Sequence, residues 1–328
     1  MNASEDVPAG LAAPTDVTAR RDGIRRRWTL HGLNNGAIFS ATYRGVGFLP
    51  RQVSYGIGRA GTWIAWRLMR ETRAAIADNL RALLPGESER SLQARARVTL
   101  AAYANDVIDF IRSLRASGDE LESLFDYLPG DSQLILDLMA KGQGLILVTG
   151  HYGNWEAGGI FIRRIVKVPM AIVAMTEPNP EVNRLRREIR DLLGVDTIEV
   201  RQSLDTALQI RRRLAANGMV AVLMDRYLGR DRVEVKFLGR RALFLRTPAL
   251  MAFMTGAPLL PCFIERVRPG RFAIRAGTPI AVNRSKPRDE AIQEAAQDFA
   301  DQLGARVRTH PEFWYHFYRY WDVEVPHP

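Results

Sequence analysis

Four short apolar runs alternate with amphipathic segments between residues 144 and 224, and this alternation restricts the possible folds of the chain most strongly. Short runs rich in Leu, Ile and Val are typical of strands buried on both faces of a sheet, and helical connections between them make neighbouring strands parallel. The pattern therefore predicts an α/β fold with a mainly parallel central sheet flanked by helices. The predicted strands are 145–148, 169–175, 197–200 and 219–224. Of the three helices predicted between them, the first ends near residue 166, and the other two span 181–193 and 203–216.

The rest of the chain has a different pattern on each side of this core. Residues 1–19 have no periodicity and no signal-peptide features, which predicts a disordered N-terminus. A helical region is predicted for 20–142, followed by a catalytic α/β region at 143–328 that packs with it as one domain. Later segments predict a strand at 232–237, a helix at 249–255, a hairpin around Pro269-Gly270 and a helix at 289–307.

The N-terminal helical region combines basic and apolar residues. A basic cluster at 20–27 precedes an apolar, aromatic segment at 28–69, which is interrupted by Arg44, Arg51 and Arg59. No stretch reaches the roughly 20 apolar residues that a spanning helix needs. Helices that lie in a membrane interface are the favoured interpretation, and amphipathic core helices of a soluble domain are the alternative.

Composition narrows the set of partners. The formal net charge of +10 and pI near 10.1 indicate an anionic partner, which could be nucleic acid, a membrane surface or a phosphorylated substrate. The single cysteine, Cys262, excludes an intramolecular disulfide and a cysteine-rich metal site. His31, His310, His316 and His327 have no metal-ligand spacing, so no metal and no cofactor are predicted.

His151 follows the first predicted strand after a break at Thr149-Gly150, at the sheet edge where open α/β folds place their ligands. A neutral imidazole there can take a proton from a hydroxyl, and a carboxylate on its other nitrogen would fix the tautomer. Glu156, five residues later, could fold back across the turn to supply that carboxylate. The alternative is a hydrogen-bonded loop histidine beside a surface glutamate.

Covalent catalysis has no obvious residue in the sequence. The Gly-x-Ser-x-Gly elbow, the P-loop and the dinucleotide fingerprint are absent, so direct attack of an acceptor hydroxyl on a bound thioester fits better. Arginine pairs could grip a phosphate at the same edge. Asp225-Arg226 ends one strand and Arg240-Arg241 ends the next; ordinary loop charge, with Arg266 in a surface pair, is the alternative.

The segment from Gly150 to Glu156, GHYGNWE, resembles the His-x4-Asp/Glu signature of glycerolipid-type acyltransferases. Its extended form G-H-x-G-N-W-E is similar to the branch of bacterial lipid A biosynthesis acyltransferases, which also includes phosphatidylinositol-mannoside acyltransferases. Further similar segments follow in order at 225–226, 233–239, 247–249, 256–261 and 310–314, so the resemblance covers about 145–321.

The resemblance implies an acyltransferase on the cytoplasmic face of the bacterial inner membrane, peripheral or anchored in the interface. His151 would be the general base and Glu156 would orient it, while Asn154 would place substrate or shape the turn. The donor would be a thioester of acyl carrier protein or coenzyme A. The acceptor would be a glycolipid hydroxyl like that of a lipid A precursor.

On the acceptor side, the resemblance implies five further residues, namely Asp225, Arg226, Arg240, Arg241 and Arg266. The chain departs from lipid A enzymes at Arg226 and at Thr176-Glu177, where they tend to have Gln and Tyr-Arg. These departures favour other acceptors: a phosphatidylinositol mannoside, a lysophospholipid or an aminolipid. The remaining alternatives are a hydrolase with the same residues and a non-catalytic basic module that binds membranes or nucleic acid. Nucleic acid is not the expected partner.

Overall fold

The computed structural model describes residues 40, 43–176, 179–200 and 205–321. The predictions for the disordered N-terminus and the basic cluster at 20–27 lie outside the described residues.

A seven-stranded sheet forms the centre of the described chain. Its strands are β1 (Phe125–Asp126), β2 (Leu145–Thr149), β3 (Met170–Ala174), β4 (Asp196–Glu199), β5 (Met219–Leu223), β8 (Leu259–Arg268) and β9 (Arg271–Ala276). They lie in the order β1-β9-β8-β2-β5-β3-β4, and every neighbouring pair is parallel except β8 and β9, which form the predicted hairpin. The predicted mainly parallel α/β fold is therefore confirmed.

Strand β2 lies in the middle of this sheet and is buried on both faces. Ile146 and Val148 pack into one hydrophobic cluster, and Leu145 and Leu147 pack into a second cluster. Alternate side chains of a strand point to opposite faces, so a continuous apolar run fills both layers. Burying each such side chain stabilises the fold by about 1.5–3 kcal/mol.

Three long helices precede the sheet: α1 (Arg51–Leu68), α2 (Arg70–Leu83) and α3 (Glu89–Ser113). Ser88 caps α3 by accepting a hydrogen bond from the backbone N–H of Ser91 at 3.3 Å. A third hydrophobic cluster joins α2 and α3 to the C-terminal segment, residues 310–321, through residues such as Leu80, Leu100 and Tyr315. Among the described residues, no helix has both the length and the apolar character needed to cross a membrane.

The remaining elements cover the sheet and its edges. The region 20–142 is predicted to be helical, but β1 forms within it because Phe125 and Asp126 pair in parallel with β9. A separate two-stranded antiparallel sheet consists of β6 (Val233–Phe237) and β7 (Arg240–Phe244). The other helices are α4 (Gly118–Ser123), α5 (Pro129–Ala140), α6 (Trp155–Ile160) with a π-helical turn (Phe161–Val166), α7 (Pro180–Leu193), α8 (Asp205–Ala215), α9 (Thr247–Thr255) and α10 (Arg288–Thr309).

Candidate active site

The ends of two neighbouring strands bring His151 and Asp225 together. Strands β2 and β5 are parallel neighbours in which Thr149 pairs with Leu223. His151 and Asp225 each lie two residues beyond this last pair, so the register places them side by side at the carboxyl edge of the sheet. The Nδ1 atom of His151 lies 2.7 Å from Oδ1 of Asp225.

Two glycines let the turn around His151 approach its neighbours closely. Gly153 has a φ of +60°, and a Cβ atom there would lie 2.0 Å from the carbonyl oxygen of Ile264. A Cβ atom on Gly150 would lie 3.1 Å from Oδ2 of Asp225. Larger residues would therefore push the turn away from β8 and from the carboxylate, which explains the glycines on both sides of the histidine.

Asp225 is completely buried and accepts three hydrogen bonds. Its Oδ1 faces Nδ1 of His151, while its Oδ2 accepts from the backbone N–H of His151 at 2.8 Å and lies 2.8 Å from Nε2 of His316. Burial by itself would raise the pKa of this carboxyl, but the two histidines outweigh that effect and hold the pKa well below its usual value. The side chain is therefore a carboxylate that acts as a hydrogen-bond acceptor.

His151 is poised to accept a proton on its outer nitrogen. Because Nδ1 donates to the carboxylate of Asp225, the neutral ring carries its lone pair on Nε2. Burial lowers the pKa of the imidazole below 6.5, and the guanidinium of Arg226 lowers it further, so the ring is neutral at pH 7. The side chain keeps 18% of its surface exposed, which leaves access for a substrate.

Glu156 does not supply the partner of His151, and in this respect the sequence prediction is wrong. Its Oε1 lies 2.5 Å from Nη1 of Arg186 on α7. An ionised carboxylate gains more from a charged guanidinium than from a neutral imidazole, and Asp225 already occupies Nδ1 of His151. Glu156 therefore links the first turn of α6 to α7, and a catalytic role for it stays a prediction.

Asn154 and Arg266 have structural contacts in place of the expected substrate contacts. The Oδ1 of Asn154 accepts from the N–H of Ala157 at 3.2 Å, and its Nδ2 donates to the carbonyl of Asp106 at 2.9 Å. Asn154 thus caps α6 and shapes the turn, which was one of its two predicted roles. Arg266 is not in a surface pair, since its Nε donates to Asp106 at 2.9 Å in a buried pair that ties β8 to α3. A role on the acceptor side stays a prediction for it.

The three other arginines predicted for the acceptor side differ in location and in contacts. Arg226 follows Asp225 directly, and its Nη2 donates to the carbonyl of Tyr315 at 3.1 Å. Its Nε has no hydrogen-bond acceptor among the described residues, so it stays a candidate for binding an anion. Arg241 instead forks onto Glu234 at 2.7 and 2.5 Å on β6, and Arg240 lies over the ring of Trp321 at 5.8 Å. Both are exposed on the separate two-stranded sheet, and a role on the acceptor side stays a prediction for them.

The C-terminal segment contributes a residue that the sequence did not predict for the site. The N–H of Tyr315 donates to the carbonyl of His151 at 2.7 Å, and the N–H of Gly153 donates to Phe313 at 2.8 Å. This pairing brings His316 onto Asp225, although 165 positions separate His316 from His151 in the chain. The only signal for its importance is that it lies two residues beyond the His-Pro-Glu-x-Trp segment of the resemblance.

The cluster of His151, Asp225 and His316 also has the composition of a metal site. Their ligand atoms lie within 4.8 Å of one another. The histidine nitrogens that face the carboxylate are already hydrogen-bonded to it, however, and a metal ion would require both N–H protons to leave. The donor set is explained more simply as a hydrogen-bonded chain, and we assign no metal to it.

The fold and this cluster define an α/β protein that holds a histidine base at the carboxyl edge of a parallel sheet. The sequence model of the family of bacterial lipid A biosynthesis acyltransferases matches residues 30–322 of the chain. The chain belongs to this family, and it is an acyltransferase of lipid biosynthesis.

Two similar proteins carry the name phosphatidylinositol mannoside acyltransferase. The protein from Mycolicibacterium smegmatis is 25% identical over 302 residues, which cover 88% of this chain and 91% of that protein. The protein from Mycobacterium tuberculosis is 26% identical over 190 residues, which cover 57% of each chain.

Proposed function

We propose that this protein transfers a fatty acyl chain from an acyl thioester to a hydroxyl group of a membrane glycolipid. The observation that carries the proposal is the pairing of His151 with the buried carboxylate of Asp225, in a chain of this acyltransferase family. The names of the similar proteins support a mannosylated phosphatidylinositol as the first acceptor to test. A lipid A precursor and other lipid hydroxyls are the comparison acceptors.

The proposed reaction proceeds by direct attack of the acceptor. Nε2 of His151 takes the proton from the acceptor hydroxyl as its oxygen forms a bond to the thioester carbonyl carbon. Asp225 stabilises the imidazolium that results, because its carboxylate remains ionised beside Nδ1. The tetrahedral intermediate then breaks its carbon–sulfur bond, and the imidazolium returns the proton to the leaving thiolate. An ester and a free thiol are the products.

Arg226 is the proposed contact for negative charge in this reaction. Its guanidinium lies close enough to His151 to lower the pKa of the imidazole, while its Nε has no acceptor among the described residues. A phosphate group of the acceptor or the oxyanion of the intermediate would satisfy that donor. The ring of Tyr318, 5.3 Å from the guanidinium carbon, supports Arg226 from one side.

The test is an acyl-transfer assay with purified protein. Acyl carrier protein and coenzyme A thioesters are each supplied with a phosphatidylinositol mannoside, with a lipid A precursor or with no acceptor. We expect one glycolipid to gain the mass of one acyl chain, measured by mass spectrometry. Fatty acid release at the same rate with and without acceptor would instead identify a hydrolase. A folded protein that acylates none of these lipids would overturn the proposed substrate class.

We also propose that α1 places the protein on an anionic membrane surface. Four large apolar side chains lie along one stripe of this helix at helical spacing and are about half exposed or more: Val53, Ile57, Ile64 and Leu68. The opposite side packs on α3, where the hydroxyl of Tyr55 donates to Asp109 at 2.5 Å. An exposed apolar stripe beside Arg67, in a chain with a net charge of +10, fits a lipid interface with anionic headgroups.

Aspartate substitutions in this stripe are expected to release the protein from vesicles. In a sedimentation assay, the Ile57→Asp/Ile64→Asp variant should bind phosphatidylglycerol-containing vesicles at least about tenfold more weakly than wild type, because charge is costly in the interface. Leu208→Asp is the matched control, since Leu208 is comparably exposed on α8. Equal binding by both variants and wild type would contradict the assignment of α1.

A further inference from the structure

We propose that His316 is a positioning residue that fixes the carboxylate of Asp225 and, through it, the tautomer of the catalytic base His151. The proposal rests on the proposed function, since it assigns His316 a part in the same proton transfer. The contacts that support it form one hydrogen-bonded chain, which runs from the hydroxyl of Tyr318 through His316 and Asp225 to His151.

The tautomer of His316 follows from its two neighbours. The ring is 1% exposed, and burial lowers its pKa to about 3, so it is neutral at pH 7 and carries one N–H. Its Nε2 lies 2.8 Å from the ionised carboxylate of Asp225, which can only accept, so the proton lies on Nε2. Nδ1 is then an acceptor, and the hydroxyl of Tyr318 at 3.1 Å supplies the donor.

The Nε2–H of His316 restricts how the Asp225 carboxylate can rotate. Oδ2 is held from two sides, by Nε2 of His316 and by the backbone N–H of His151. Oδ1 therefore remains for the Nδ1–H of His151, and the lone pair of that ring stays on Nε2, the nitrogen proposed to take the proton. Without His316, Oδ2 would lose its only side-chain donor among the described residues, and the carboxylate could turn away from the imidazole.

The surroundings of His316 make this orientation rigid. The centroids of the Trp314 and Tyr320 rings lie 4.5 and 4.6 Å from that of His316. The hydroxyl of Tyr320 also donates to the backbone carbonyl of Asp225 at 2.9 Å. The aromatic residues of the C-terminal segment thus serve to hold one imidazole against one carboxylate, in addition to filling the core.

Two substitutions separate the hydrogen bond from the packing. His316→Phe keeps a flat ring but removes the donor, whereas His316→Gln keeps an amide N–H near the position of Nε2. We expect kcat of the full-length His316→Phe protein to fall about 10- to 100-fold, the scale of a hydrogen bond to a charged group, with the KM values of donor and acceptor unchanged. His316→Gln should recover most of this loss. His310→Phe is the matched control, since His310 is 46% exposed and pairs with Glu312.

Nitrogen NMR of the imidazole rings tests the inference without any substrate. We expect wild-type His151 to carry its proton on Nδ1 and His316 on Nε2, and we expect His151 to become a mixture of tautomers in His316→Phe. A wild-type His316 protonated on Nδ1, or a His316→Phe variant with wild-type kcat, would overturn the proposal. If the tautomers are as expected but no glycolipid is acylated, the hold of His316 on the tautomer of His151 stands, while its part in acyl transfer fails with the proposed function. If the His316→Phe protein does not fold, the wild-type nitrogen spectrum and the kinetics of His316→Gln become the deciding measurements.

Discussion

Replacing His151 by alanine is expected to lower kcat for acyl transfer by about 10²- to 10⁴-fold, which is the usual contribution of a positioned general base. The acceptor hydroxyl has a pKa far above 7, so it becomes a competent nucleophile only if a base removes its proton during attack. Nε2 of His151 is the base proposed for this step, and Asp225 holds the ring so that this nitrogen is free of its own proton.

The His151→Ala measurement needs a check on folding. The backbone N–H of His151 donates to Asp225 and its carbonyl accepts from Tyr315, and alanine keeps both of these bonds. We therefore expect the circular dichroism spectrum and cooperative thermal unfolding to be retained. A folded variant with near-normal transfer would show that another group removes the proton and would end the proposed mechanism.

Replacing Asp225 by asparagine is expected to lower kcat by about 10³- to 10⁴-fold with little change in KM. Asparagine has the size of aspartate but carries no charge, and its amide group can present a donor to Nδ1 of His151. The proton of the ring would then move to Nε2, where it blocks proton abstraction. The lost charge would also remove the stabilisation of the imidazolium. Steady-state kinetics under saturating donor and acceptor measures this effect.

Glu156→Gln is the matched control for the Asp225 variant, because it neutralises the carboxylate that local spacing predicts as the partner of His151. Among the described residues it breaks the pair with Arg186 and no other ion pair, so we expect a loss of less than about tenfold. A larger loss in Glu156→Gln than in Asp225→Asn would reverse the assignment. Glu156 would then be the partner of His151 during the reaction, as the local sequence suggested.

The sequence predicted most of the fold because the relevant forces act locally. The apolar runs at β2, β3 and β5 are too short for helices and too apolar for an exposed edge, so they identify buried parallel strands. The turn Pro269-Gly270 marks the β8–β9 hairpin for the same kind of local reason. The strand β1 was missed because two residues carry no periodicity, and only pairing with β9 defines it.

The sequence by itself determined that His151 stands at the end of a buried strand, in a segment that resembles an acyltransferase motif. Only the tertiary structure decided which carboxylate it contacts. Local spacing favoured Glu156, five residues away, but the pairing of β2 with β5 brings in Asp225 from 74 residues away, and the C-terminal segment then adds His316. Strand order and the return of the chain end are set by the packing of the whole core, and no short stretch of sequence encodes them.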